Sequence, residues 1–307
     1  MENIAIHTDM LSKCYEKGVF ALKDLSIDVP QGEVFGFLGP NGAGKTTTVK
    51  LLTGLLKPTR GNCSVMGLSS SARSVDIHRT CGVVTESARM YGRMTGFENL
   101  TFFAETAGMD EKDSKSRSEE LLKVMGLWDV RGKPLRTYST GMAQRLSFAR
   151  ALVSRPKVLF LDEPTSGLDP ENAQAVNQLI LSLAKSEGVT VFLCTHQLRY
   201  AQDICSRYGI LEKGELLACG TLASLSRDAQ IFTKASVHAK DGDRLDGLTR
   251  TEDGWWQVDL QNDDDMPGLL KNLVESGHEI YEARLVRPTL EDVYFRYVKI
   301  ASEEALP

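Results

Sequence analysis

The octapeptide Gly39-Pro40-Asn41-Gly42-Ala43-Gly44-Lys45-Thr46 carries the reading of the first two-thirds of this chain. It follows the apolar run Glu33-Val34-Phe35-Gly36-Phe37-Leu38, which reads as a buried strand, and it opens a helical stretch from Lys45 to about Leu56. Strand, glycine-rich turn and helix in that order make a cradle for phosphate. Glycines let backbone N–H groups converge on anionic oxygens, and the helix N-terminus adds partial positive charge. Lys45 is placed to reach the β- and γ-phosphates of a nucleoside triphosphate, and the Thr46 hydroxyl to coordinate Mg²⁺.

Working outward, Val158-Leu159-Phe160-Leu161 is a second buried strand, ending in the adjacent carboxylates Asp162 and Glu163. Alone, such a pair reads as a solvated strand end. Beside a phosphate loop, Asp162 is expected to hold Mg²⁺ through water and Glu163 to act as the base that polarises an attacking water. Val189-Thr190-Val191-Phe192-Leu193-Cys194-Thr195 is a third apolar run, whereas Leu25-Ser26-Ile27-Asp28-Val29 alternates with period two and fits a half-exposed antiparallel strand. Apolar β-like runs alternating with helical patterns predict an α/β domain with a largely parallel sheet.

Residues 87–140 differ: Thr95-Gly96-Phe97-Glu98 has the form of a capping box, and a charged helical segment runs from Glu111 to about Met125, so a helical insertion is expected. After Gly220-Thr221 the pattern changes again. A strand is predicted at Trp255–Leu260, a helix near Leu269–Glu275, a strand at Ile280–Val286 and a last helix capped by Thr289, with Asp292 in its first turn. These spans predict a first domain over residues 3–222 and a small α+β domain over 223–307.

Composition narrows the function classes. The 307 residues are 42% apolar and 25% charged, ordinary for a globular protein. The longest apolar runs fall far short of the roughly 18 residues a membrane helix needs, and the N-terminus has no secretory pattern. Six cysteines and five histidines are dispersed without metal-ligand spacing, which fits buried thiols in a reducing compartment. The net charge of −5 conceals an asymmetry: residues 223–307 carry 10 basic and 17 acidic side chains, leaving 26 and 24 for the rest. That balance argues against nucleic acid as a partner.

Beyond the phosphate loop, four further segments follow an order that resembles the ATPase subunits of ABC transporters across residues 3–222. Tyr138-Ser139-Thr140-Gly141-Met142 is similar to the family signature, and Asp162-Glu163-Pro164-Thr165-Ser166-Gly167-Leu168-Asp169-Pro170 to its joined Walker B and D-loop. His196 stands where the family has its switch histidine, and Tyr15 where it has an aromatic residue. The implied fold is an α/β P-loop NTPase domain of the ABC type, with a mixed sheet and a helical insertion over about 87–140, plus the small C-terminal α+β domain. The implied activity is ATP hydrolysis with ATP and Mg²⁺.

Residue by residue, the resemblance assigns ATP contacts to Tyr15, Gly39, Pro40, Asn41, Gly42, Ala43, Gly44, Lys45, Thr46, Thr47, Ser139 and Gly141. It makes Glu163, His196 and Lys45 catalytic and Thr46, Glu86 and Asp162 the Mg²⁺ set. Ser139 and Gly141 would meet ATP bound by a second copy, making a dimer of ATPase domains, expected as a homodimer. Each also has a plainer reading: Ser139 as a helix cap, His196 as a core histidine, Tyr15 as a surface tyrosine.

Two departures stand out. The family usually has Gln where Cys81-Gly82-Val83-Val84-Thr85-Glu86 places Glu86, and the signature has Thr140 for Gly and Met142 for Gln. Both, like Arg287-Pro288-Thr289-Leu290-Glu291-Asp292-Val293-Tyr294 near the end, resemble ATPases that serve ABC-2-type exporters. The implied partner is a separate ABC-2-type permease, and the implied location is cytoplasmic, on the inner face of the membrane. A ribosome- or DNA-associated ABC ATPase and an importer ATPase remain as alternatives. The stretch between Thr46 and Tyr138 is too short for the long coiled coil of the DNA-repair type.

Overall fold

The chain opens with an antiparallel pair, β1 (Ile4–Cys14) and β2 (Phe20–Pro30). Along β2 the side chains of Leu22, Leu25, Ile27 and Val29 are buried while Lys23, Ser26 and Asp28 are exposed, as period-two alternation requires of a sheet with one covered face. The connection then enters β3 (Val34–Leu38), the glycine-rich turn and α1 (Lys45–Leu52). This helix stops four residues short of the expected Leu56, because Gly54 takes a left-handed φ of 71° beside Ser70 O, where a Cβ would stand only 2.6 Å away. After it, β4 (Arg60–Val65) and β5 (Leu68–Ser69) complete a four-stranded sheet of order β2-β1-β4-β5.

The next elements are α2 (Ser74–Thr80), β6 (Cys81–Val84), α3 (Gly96–Thr106), α4 (Glu111–Val124), α5 (Thr140–Leu152), β7 (Val158–Asp162), α6 (Pro170–Glu187), β8 (Thr190–Thr195), α7 (Leu198–Ile204), β9 (Arg207–Glu212) and β10 (Glu215–Gly220). A six-stranded sheet takes the order β10-β9-β3-β8-β7-β6. Its β9-β3-β8-β7-β6 pairings are parallel, with Val34 opposite Val191 and Asp162 opposite Cys194. Covered on both faces, β3, β7 and β8 can be apolar at almost every position. Phe35, Phe37, Phe160 and Phe192 pack there, with ring centroids 5.1 Å apart for Phe37 and Phe192 and 5.8 Å for Phe160 and Phe192.

In the helical segment, the Thr95 hydroxyl accepts from the Glu98 N–H at 3.1 Å and the Glu98 carboxylate accepts from the Thr95 N–H at 2.7 Å, so the capping box forms. Asp110 caps α4 by accepting from the Asp113 N–H. Ser114, Ser118, Leu121 and Leu122 make its buried stripe at helical spacing.

This computed structural model describes residues 3–15, 18–85, 90–240 and 244–304. They fall into two compact units, Met1–Cys219 and Gly220–Pro307. The second contains α8 (Leu222–Asp228), β11 (Lys234–Ala239), β12 (Thr249–Arg250), β13 (Trp256–Asp259), α9 (Asp265–Glu275), β14 (Ile280–Val286) and α10 (Leu290–Glu304). Its sheet has the order β12-β13-β11-β14, and its neighbouring strands pair antiparallel. Leu269 and Leu270 of α9 pack on Val237 and Ala235 of β11. The strand β11 is not among the strands expected from sequence: Lys234, Ser236 and His238 alternate with Ala235, Val237 and Ala239 at strand period, but two of the three apolar positions are alanine, which carries little strand preference. Helix α9 starts at Asp265, earlier than expected; Pro267 falls in the first turn, where its missing N–H leaves no bond broken. Thr289 caps α10, accepting from the Asp292 N–H at 3.2 Å, and Leu290 and Val293 are fully buried.

Candidate nucleotide site

Strands β3, β7 and β8 are parallel neighbours, so their C-terminal ends open on one edge of the sheet, where loops converge. The loop after β3 is forced tight. A Cβ on Gly39 would meet Leu211 O at 2.3 Å, and Gly44, at φ 110°, has Ala21 O where its Cβ would be. Gly44 is also the N-cap of α1 and supplies no side-chain bond, so the first amides of that helix are left for an external anion.

Lys45, buried to 6% exposure, folds back so that its ammonium donates to Gly39 O and to Pro40 O, and it lies 3.9 Å from Glu163 Oε1. Thr46 Oγ1 donates to Asp162 Oδ2 at 2.9 Å. At the end of β7 the chain turns sharply, with Glu163 in the left-handed region at φ 47°. Asp162 and Glu163 then both line one cleft of about 180 Å³, with loop residues 40–42 and 44–47 and Ala21.

The Glu163 carboxylate is held by three donors from the end of β8. Thr195 Oγ1 donates to Oε2 at 2.9 Å, the His196 N–H donates to Oε1 at 3.0 Å, and His196 Nδ1 lies 2.7 Å from Oε1. Glu163 is 8% exposed, while the His196 ring is half-exposed. A carboxylate so fixed beside a lysine, with an imidazole at its rim, can orient and deprotonate a water aimed at a phosphate bound by the loop.

The structure therefore gathers Lys45, Thr46, Asp162, Glu163 and His196 at one edge. Pro40, Asn41, Gly42, Gly44 and Thr47 line the cleft, whereas Gly39 and Ala43 shape the loop without lining it. Three more of the expected residues do not line this cleft, two of them, Ser139 and Gly141, being expected to meet the nucleotide of a second copy. Tyr15 follows β1 on the surface, 46% exposed, with the Lys13 ammonium 5.6 Å from its ring. Ser139 caps α5 by accepting from the Met142 N–H at 3.3 Å, and Gly141 is buried in the first turn. Glu86 lies outside the described residues. Thr195 and Ala21 were not singled out from sequence. For Thr195 the available signal was a hydroxyl at the end of an apolar strand, directly before His196.

A hydroxyl and a carboxylate oxygen at bonding distance, Thr46 and Asp162, are the hard oxygen donors that Mg²⁺ takes, and Mg²⁺ commonly needs only one or two protein ligands beside phosphate and water. Among the described residues no group of three or more His, Cys, Asp or Glu is arranged around a metal. The donor set fits a metal shared with a nucleotide.

A parallel sheet whose first loop carries Gly44, Lys45 and Thr46 and whose neighbouring strand ends in Asp162-Glu163 defines a P-loop nucleoside triphosphatase. The family described as ABC transporter matches residues 22–166. YdbJ of Bacillus subtilis, named an uncharacterized ABC transporter ATP-binding protein, is 34% identical over 290 residues, 92% of each chain. A fluoroquinolones export ATP-binding protein of Mycobacterium tuberculosis is 35% identical over 275 residues, 89% of this chain and 86% of its own. A dimeric ATP-binding cassette, solved in a post-hydrolysis state with ADP and phosphate, superposes with a TM-score of 0.65 at 26% identity, over 71% of this chain and 98% of that one. The chain belongs to the ATP-binding proteins of ABC transporters: it is the ATP-binding, ATP-hydrolysing subunit of such a transporter.

Proposed function

We propose that this subunit powers export through a separate ABC-2-type permease, with two copies closing on two Mg²⁺·ATP. The observation that carries the export reading is the similarity to a fluoroquinolones export ATP-binding protein along 89% of this chain, which takes in much of the C-terminal unit. No helix among the described residues is long and apolar enough to cross a membrane; in this reading the permease supplies the membrane path. A peripheral position on the inner face of the membrane follows from that docking.

An exposed aromatic cluster supports the docking. Tyr91 and Phe102 are 51% and 41% exposed and meet edge to face at 5.3 Å, with Phe103 stacked 6.1 Å from Tyr91. A groove of about 650 Å³ beside them is lined by Phe103, His78, Arg79 and Arg150. An apolar patch next to a groove suits a short helix from the permease.

In the cleft, the loop amides and Lys45 would bind the phosphates, and Glu163 would take a proton from the attacking water. His196 would hold Glu163 and meet the γ-phosphate. Thr46 and Asp162 would hold Mg²⁺, which supplies charge neutralisation on the phosphates. Ser139 and the Gly141 amide, at the N-terminus of α5, would contact the γ-phosphate bound by the other copy.

Affinity purification of the tagged chain from membranes of its native host tests the partner: an ABC-2-type membrane protein should co-purify. A chain that hydrolyses ATP in its host with no membrane protein attached would sink the export reading. ATP-dependent dimerisation of Glu163→Gln, followed by size-exclusion chromatography, tests the pairing of two copies.

A further inference from the structure

The residues that follow Glu163, Pro164 to Asp169, run from β7 to α6 and are gripped at both ends by the first turns of α5. At the near end, Gln144 Nε2 donates to Pro164 O at 2.9 Å, from a side chain that is 7% exposed. At the far end, Gly141 lies so close to the Asn172 amide that a Cβ there would stand 2.9 Å from it. Asn172 is tied in turn to Asp169, its N–H donating at 2.9 Å and its side-chain amide at 2.7 Å. Gly141 and Gln144 are three apart and share a helix face, so one rigid element grips both ends of the loop.

The near grip matters for Glu163. A left-handed φ at a non-glycine residue persists only where the surroundings over-determine it. The Glu163 N–H donates to Cys194 O at 3.0 Å, which holds the turn from its strand side. On the other side the Ser166 N–H donates to Glu163 O at 3.1 Å, and the next residue, Pro164, has no N–H to offer, so its carbonyl is the group it presents for a further anchor. Gln144 takes that carbonyl.

We infer that Gln144 is a positioning residue for Glu163. By holding Pro164 O it maintains the turn that aims the carboxylate into the cleft. Because Gln144 stands less than two turns from Ser139, it also couples whatever binds at the N-terminus of α5 to this subunit's own base. That coupling rests on the proposed contact of Ser139 and Gly141 with ATP of the second copy.

The test uses steady-state ATPase measurements on the full chain. Gln144→Met keeps length and bulk but donates nothing. It should lower kcat about tenfold and leave KM for ATP within about twofold, as the loss of one buried hydrogen bond felt in the transition state would. Gln144→Glu can donate to Pro164 O only when protonated, which burial favours. Its kcat relative to wild type should therefore rise as the pH falls from about 8 to about 6, while the ratio for Gln144→Met stays flat. Glu163→Gln and the double variant Glu163→Gln/Gln144→Met should both dimerise with ATP, showing that α5 is intact.

A Gln144→Met kcat within about twofold of wild type overturns the inference. So does a loss carried by KM, a Gln144→Glu ratio as flat as that of Met, or a double variant that no longer dimerises. If Glu163→Gln itself stays monomeric with ATP while Gln144→Met still lowers kcat, the contact in trans falls and the Gln144 to Glu163 link stands.

Discussion

The two sheets that end in functional or capping residues are built on opposite plans. In the N-terminal unit, β3, β7 and β8 run parallel and are buried on both faces, and all leave the sheet at the same edge. Residues distant in sequence, such as Lys45, Glu163 and His196, therefore meet there. In the C-terminal unit, β11 pairs antiparallel with β13 and β14, and α9 packs on the sheet. Its side chains are less buried: Trp256, Gln257 and Val258 are all intermediate, and Tyr281 is 63% exposed. A parallel sheet collects polar groups at one edge, so substitutions there should cost rate. A half-covered antiparallel sheet offers no such edge, and substitutions there should cost stability.

The sharpest way to break this contrast is Glu163→Gln. The amide keeps the shape but cannot take a proton, so ATP turnover should fall by about 10² to 10⁴, with ATP binding and thermal stability retained. A variant with near-normal turnover would remove Glu163 from the base role and the chemistry from this edge. On the other side, Leu290→Ala empties a fully buried site in the C-terminal unit. Unfolding by urea should show a loss of roughly 2–5 kcal/mol for that unit, with kcat near wild type. A large fall in kcat with no loss of stability would erase the distinction.

Thr195→Val sharpens the first half. The hydroxyl donates to Glu163 Oε2 and accepts from the Gln197 N–H at 3.0 Å, so its loss frees one of three restraints on the carboxylate. Turnover should drop about tenfold with KM little changed. Smallest of all should be Glu86→Gln. A carboxylate and an amide both offer an oxygen ligand, so activity should stay within about threefold of wild type. A loss as complete as that of Glu163→Gln would make Glu86 a second essential acid.

Local pattern was enough where one residue type has one physical use. Thr95 and Glu98 make their capping box, and Thr289 caps α10, because those bonds join residues three apart. The buried strands at Phe37, Phe160 and Phe192 were legible because only a doubly covered strand is apolar throughout. Pattern fell short where a neighbour overrides it. The end of α1 depends on Ser70 O standing against Gly54, and the strand β11 is made by partners on both sides of an ambiguous run.

The candidate site divides in the same way. Order and residue type pointed to the loop at Gly39–Thr46, to the Asp162-Glu163 pair and to the start of α5 as candidates and, through their sequence along the chain, to the family itself. Tertiary structure alone decided that Thr195 and His196 hold Glu163, that Lys45 lies against its own loop and beside that carboxylate, and that Gln144 reaches Pro164 O. The reason is geometric. Each of these contacts joins elements whose approach is fixed by strand register and helix packing, and a hydrogen bond a few tenths of an ångström wide is set by that register, which composition and spacing do not encode.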